Sequence, residues 1–122
     1  MDVSGFEAKW KMGTVTPTTI SSLSRETLRV QVAATQDGKL VDPTTGDVEF
    51  AFVSSGNPDS WNTGEFCSDV DQEKFFAEII VGQTEDPTPS GIDLAVGTHT
   101  VWVRVTLDSE VVVKNVGKLK VI

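Results

Sequence analysis

A chain of 122 residues with 18 Asp and Glu against 10 Lys and Arg carries a formal charge of -8 and a pI near 4.4, the size of one domain and an acidic one. Cationic residues are scarce and form no run, so the electrostatic footprint that a phosphate backbone needs is missing, which argues against nucleic acid as a partner. One cysteine, Cys67, excludes an intramolecular disulfide, and one histidine leaves no Cys/His cluster for zinc.

The mean hydropathy of -0.08 supplies enough apolar surface for one two-layer core, and no apolar run approaches a membrane span. Met1 to Gly5 lack the basic and apolar regions of a signal peptide. A soluble chain made in the cytoplasm, with no membrane partner, is expected.

Residues 1–13 mix Trp10 and Met12 with Lys9, Lys11, Gly5 and Gly13 and sustain no period, which reads as an N-terminal arm or an edge strand. Thr14 to Ser24, rich in Thr and Ser around Pro17, has the composition of an extended edge segment where a missing N–H costs nothing, and a first strand is placed there. From Thr27 to Ala34 the chain alternates, with Leu28, Val30, Val32 and Ala34 on one face and Thr27, Arg29, Gln31 and Ala33 on the other. This is the pattern of a half-buried strand. Asp37-Gly38, then Asp42-Pro43 with Gly46, predict two reversals.

Val48, Phe50 and Phe52 alternate with Glu49, Ala51 and Val53, a second strand of the same kind, closed by Ser55, Gly56, Asn57 and Pro58. Trp61 to Phe66 suggests a short strand before the acidic stretch Asp69, Asp71 and Glu73. Lys74 to Val81 is ambiguous, because Phe75, Phe76, Ile79 and Ile80 also fit a helical stripe. We read it as a strand, since apolar residues fill both parities and the β-rich neighbours offer a helix little to pack against. Glu85 to Gly91, with Pro87 and Pro89, reads as a loop tip. Gly97 opens the clearest strand, in which Val101, Val103, Val105 and Leu107 alternate with Trp102, Arg104, Thr106 and Asp108. A Ser109-Glu110 turn leads into a last strand from Val111 to Ile122, so the chain is expected to end in a hairpin. Six or seven short strands with no convincing helix point to an all-β sandwich or small barrel.

Little in this chain suits catalysis. His99 is the only histidine, flanked by threonines at the start of a strand, and reads as an ordinary surface residue. Cys67 has no base suggested near it and reads as a buried or partly buried thiol. The run Asp69 to Glu73 fails the EF-hand pattern, because Lys74 stands where the loop glycine belongs and Ile80 where the closing glutamate belongs. A looser calcium site from Asp69, Asp71 and Glu73 stays open. With one His, one Cys and no Tyr, few general bases can be assembled, so the expectation is a protein that is not an enzyme and uses no cofactor.

The three tryptophans carry more information, since each ring must be packed or offered to a partner. Trp102 has the parity opposite to Val101, Val103 and Val105 and shares a face with Arg104. If the valines point inward the indole points outward, and an exposed Trp beside Arg is hot-spot chemistry. Pairing of this strand and the last one with Val48 to Val53 would add Glu49, Ala51, Lys118 and Lys120 to the same face. The competing reading covers Trp102 intramolecularly, by the arm or a loop. Trp10 and Trp61 read more readily as packing residues, although Trp10, through the arm, also belongs to the candidate interface.

Several segments together carry a resemblance: Glu26-Thr27-Leu28-Arg29-Val30-Gln31-Val32, Val41-Asp42-Pro43, Asp47-Val48-Glu49-Phe50-Ala51-Phe52, Ser60-Trp61, Leu94 to Val105 through Gly97-Thr98-His99-Thr100, and the closing Val116-Gly117-Lys118-Leu119-Lys120-Val121. Their order, over roughly residues 13 to 122, resembles small immunoglobulin-like proteins encoded among the virion structural genes of tailed phages, particularly phages of actinobacteria. Phe66 to Thr84 departs most from the pattern. The resemblance implies an immunoglobulin-like sandwich of about seven strands over residues 14–122 behind an arm of residues 1–13. It also implies a non-enzymatic virion component of the head or head-to-tail region, present in many copies, assembled in the host cytoplasm and bound to other virion proteins of capsid, neck or tail. It carries over no catalytic residue. An acidic surface suits the outside of a particle, where it repels packaged DNA. The alternative function is a carbohydrate- or host-surface-binding sandwich, with Trp61 or Trp102 stacking on sugar and the 69–73 loop holding calcium.

Overall fold

A computed structural model describes residues 9–69, 74–82, 92 and 94–122. The first eight residues of the arm, residues 70–73 of the acidic loop and the 85–91 loop tip lie outside the described residues, and with them the calcium question. The described chain forms ten strands. One sheet contains β1 (Lys9–Met12), β3 (Arg25–Gln36), β4 (Lys39–Val41), β7 (Glu65–Asp69) and β8 (Lys74–Gly82), in the order β1-β3-β8-β7, with β4 also paired to β3. The other contains β2 (Thr19–Ile20), β5 (Asp47–Val53), β6 (Asn62–Thr63), β9 (Gly97–Leu107) and β10 (Glu110–Val121), in the order β2-β10-β9-β5-β6. All pairings are antiparallel except β2 with β10. The fold is an all-β sandwich, as expected. Seven strands have four residues or more, and the other three are short pieces of two or three residues.

The core is what the alternation demands. Leu28, Val30, Val32, Ala77, Ile79 and Val81 from the first sheet meet Val48, Phe50, Val101, Val103, Val105, Leu119 and Val121 from the second. Every buried side chain among the described residues is apolar. At about 25 cal/mol per Å² of apolar surface removed from water, this layer is the main driving force for folding.

Lys74 to Val81 is a strand, and its double parity has a physical origin. Ala77, Ile79 and Val81 face the core, while Phe76 on the outer face lies under the Arg29 guanidinium, 5.0 Å from the ring centre to Cζ. Arg29 also donates from Nε to Glu78 Oε2 at 2.7 Å, across the β3–β8 pair. The apparent helical stripe is therefore a strand with one apolar face and a cation-covered aromatic on the other.

Three segments differ from expectation. Thr14 to Ser24 holds only the two-residue β2 and an isolated bridge from Thr16 to Arg29. Here the chain changes sheets: Gly13 and Thr16 bond to Gln31 and Arg29 of β3, whereas the Val15 N–H donates to Val116 of β10 and Thr18 accepts from Lys120. Serving both sheets in turn leaves no run long enough for a full strand. Trp61 to Phe66 yields two strands where one is expected, because the chain crosses between sheets at Gly64. A Cβ there would stand 2.8 Å from the Phe50 ring. The last turn is Asp108-Ser109 rather than Ser109-Glu110, with Asp108 in the left-handed region at φ 54°, a conformation that Asp tolerates better than most residues.

The predicted reversals are present. Asp37 and Gly38, at φ 53° and 77°, join β3 to β4. At the second, Asp42 Oδ1 accepts from the Thr44 hydroxyl at 2.6 Å and the Thr44 N–H at 2.9 Å. First that hydroxyl and then that N–H hold the Asp42 carboxyl below its ordinary value. A depressed folded-state value means that the turn gains stability above the ordinary aspartate value and loses it as the pH falls through the lowered one. Thr44→Ala should return the Asp42 titration, followed by carboxyl-carbon NMR, toward the ordinary range. An unchanged midpoint would assign the shift to another cause.

Candidate docking face

The outer face of the second sheet is assembled by register. β5 pairs with β9 so that Glu49 lies opposite Arg104, Phe50 opposite Val103 and Ala51 opposite Trp102. β9 pairs with β10 so that Trp102 meets Asn115, Thr100 meets Lys118 and Thr98 meets Lys120. Since Phe50, Val101, Val103 and Leu119 are fully buried, the alternate residues Glu49, Ala51, Trp102, Arg104, Lys118 and Lys120 share the opposite face. The structure brings together the residues singled out from the sequence, with one exception. Trp10 sits on edge strand β1 of the first sheet, opposite Ala34, and packs against the core cluster. It belongs to the packing of the sandwich and takes no part in this face, because β1 presents Lys9 and Lys11 outward and turns Trp10 and Met12 in.

Trp102 is neither open nor sealed. The residue is half-buried, Ala51 beside it is fully covered, and the indole Nε1 is enclosed without an acceptor among the described residues. The small Ala51 leaves room for a large ring. The Trp10 indole Nε1 on the first sheet is enclosed in the same way, so it is the half-exposed ring on the outer face, and not its N–H, that sets Trp102 apart.

Beside it, Arg104 donates from Nε and Nη2 to Glu49 Oε1 at 3.0 and 2.8 Å, and its guanidinium lies 4.4 Å from the centre of the Trp61 ring. Trp61 reaches this position because the chain after β5 folds back and re-pairs as β6, which sets Thr63 opposite Glu49. The Glu49–Arg104–Trp61 stack is half-exposed, and its charges neutralise one another locally. Lys118 and Lys120 remain exposed at the β10 side of the face.

Sequence reasoning missed three members: Trp61, read as a packing residue, and two valines of β10. Val111 and Val113 are 57% and 43% exposed on this face, opposite Thr106 and Arg104. Counting parity back from the buried Leu119 and Val121 would point both valines inward. A β-bulge between Asn115 and Gly117 inserts Val116 and reverses the parity of everything before it. The only sequence signal was the glycine at position 117, in the left-handed region at φ 111°.

His99 and Cys67 stand outside this face. His99 Nε2 donates to the Ala95 carbonyl at 2.7 Å and ties down the residues that enter β9. Cys67, expected to be buried or partly buried, is instead exposed on the outer face of the first sheet, next to Phe76 in register, because the neighbouring Phe66 takes the inward parity of β7. A cleft of about 590 Å³ is lined by Asp47, Glu49, Glu65 and Phe66 beside the Gly64 crossing, but among the described residues no three His, Cys, Asp or Glu side chains are placed to hold a metal. A scan against protein-family models finds no match to this chain, and a search of the curated proteins finds none.

Proposed function

We propose that this chain is a non-enzymatic structural component of a tailed-phage virion, a capsid-decoration or head-to-tail accessory that docks on other virion proteins through the outer face of its second sheet. One observation carries the docking role: a half-covered Trp102 flanked by the Arg104–Trp61 stack and the exposed Val111 and Val113. Aromatic and Arg anchors beside apolar surface are what protein interfaces use. The virion context rests on the ordered motifs of the sequence. Strand order lends support to the immunoglobulin-like reading: with the seven longer strands lettered A to G in chain order, the sheets run A-B-E-D and G-F-C.

The sugar-binding alternative is less well served, because the Arg104 guanidinium occupies one face of Trp61 and the polar edge of Trp102 is enclosed. Capsids and necks purified from infected cells should contain the chain, and Trp102→Ala should weaken its rebinding to stripped particles by about 30-fold or more, the loss of a hot-spot residue. Retained affinity of the variant, or particles without the chain, would sink the proposal. Binding to a glycan array that Trp61→Ala abolishes would establish the alternative instead.

A further inference from the structure

The cleft of about 590 Å³ beside the Gly64 crossing separates strands of different sheets, with Asp47, Val48 and Glu49 of β5 on one wall and Glu65 and Phe66 of β7 on the other. β7 is the last strand of its sheet, and among the described residues no strand pairs with its far side. The direction of its main chain follows from β8. The Gly82 N–H donates to the Ile92 carbonyl and the Ile80 carbonyl accepts from the Ile92 N–H, while β3 fills the other side of β8 there. Even-numbered residues of β8 therefore turn their main chain away from β3 and toward β7. Phe76 and Glu78 bond to Cys67 and Glu65, their partners in register, which leaves the N–H and C=O groups of Phe66 and Ser68 pointing off the edge of the sheet. An edge of this kind is a template for another strand.

Every charged residue that lines the cleft is acidic: Asp47, Glu49 and Glu65. Glu49 is held by Arg104, and Glu65 lies opposite Glu78, whose carboxylate is taken by Arg29. No cation among the described residues answers Asp47 or Glu65, and a like-charge pair such as Glu65 and Glu78 is unfavourable until one arrives. Residues 1–8, 70–73, 83–91 and 93 contain no Lys or Arg, so no part of the chain outside the described residues supplies such a side chain. We infer that the β7 edge and its cleft bind an extended segment of a partner protein that carries Lys or Arg at alternate positions, by addition of a strand. A residue bonded to Phe66 sends its side chain the same way as Phe66, between the sheets, and this position takes an apolar group. Its neighbours fall on the outer face, where one lies directly opposite Glu65 and takes the cation. Asp47 on the far wall deepens the negative field that attracts it. The main chain supplies affinity and the charge supplies the choice of partner. The site lies between the sheets rather than on the Trp102 face, and the inference stands independently of the virion role.

Fluorescence anisotropy of a short, blocked and dye-labelled peptide of alternating lysine and valine, titrated with the full chain, tests it against the same peptide with glutamate in place of lysine. Amide hydrogen exchange of the chain with and without peptide locates the contact. The expected result is saturable binding of the lysine peptide alone, weakened by salt, in which the Phe66 and Ser68 amides gain protection while that of Cys67, already bonded to β8, does not change. Glu65→Lys should weaken binding about tenfold, the behaviour of opposite and like charges across a strand pair, and it leaves the fold intact because it removes a like-charge pair with Glu78. Ser68→Pro removes an N–H that β8 does not use and should abolish binding while the thermal transition of the folded chain is kept. No binding, equal binding of the two peptides, binding indifferent to both variants, or protection gained elsewhere than at Phe66 and Ser68 would overturn the inference. So would Phe66 and Ser68 amides that are fully protected without peptide, since another segment of the same chain would then cover the edge.

Discussion

Phe50→Ala is expected to lower the free energy of unfolding by about 3–5 kcal/mol, the usual cost of removing a buried aromatic ring and leaving its cavity. Phe50 is the largest fully buried side chain and lies opposite Val103 in the middle of the second sheet. The space cannot close easily. On one side the ring abuts the Gly64 crossing, whose N–H donates to the Val48 carbonyl at 2.8 Å, and on the other the β5–β9 ladder fixes the strand. Asn62 Nδ2 also donates to the Phe50 carbonyl at 3.2 Å, which holds β6 against β5. In a domain stabilised by roughly 5–15 kcal/mol, the loss takes a large share of the total. Urea unfolding should show a much lower midpoint with an unchanged slope. Phe76→Ala, which removes a half-exposed ring on the outer face, should cost far less. Equal losses for the two variants would mean that the inter-sheet core is not where stability resides.

Each outer face carries a cross-strand Arg–Glu pair against an aromatic ring: Arg29, Glu78 and Phe76 on the first sheet, Arg104, Glu49 and Trp61 on the second. Half-exposed pairs of this kind contribute about 0–1 kcal/mol, so they order the faces more than they stabilise the fold. The two faces differ in their apolar content. The second adds Trp102 and the exposed Val111 and Val113, and binding energy in the proposed role must come from those groups rather than from ion pairs.

How much of this was readable in the sequence depends on how locally each feature is encoded. The inward alternation of β3, β5 and β9 was legible because a half-buried strand writes its burial into every second residue, and the outward setting of Trp102 followed from the same parity. β10 was legible only in its last part, since one inserted residue, Val116, reverses the count for Val111 and Val113. The Arg104–Trp61 contact joins residues far apart in the chain through the return of β6 onto β5, and no local pattern encodes it. Trp10 was ambiguous for a related reason: a four-residue edge strand is too short to show a period.

Gly82→Ala is expected to cost about 3 kcal/mol or more, through backbone geometry rather than lost contacts. Gly82 ends β8 opposite Arg25 at φ 121°, outside the conformations that side chains adopt readily. A Cβ there would run into the Ser24 carbonyl and stand 2.7 Å from Arg25 Cα, both of them main-chain atoms that cannot rotate away. Relief would require β3 and β8 to part at the pair that begins their ladder, where the Gly82 N–H also donates to the Ile92 carbonyl at 2.8 Å. Gly38→Ala isolates the dihedral contribution, because Gly38 at φ 77° has nothing within 4 Å of an added Cβ. It should cost only about 1 kcal/mol. Thermal or urea unfolding of the two variants separates strain from collision, and a Gly82→Ala variant no less stable than Gly38→Ala would show that the β3–β8 end can open to admit a methyl group.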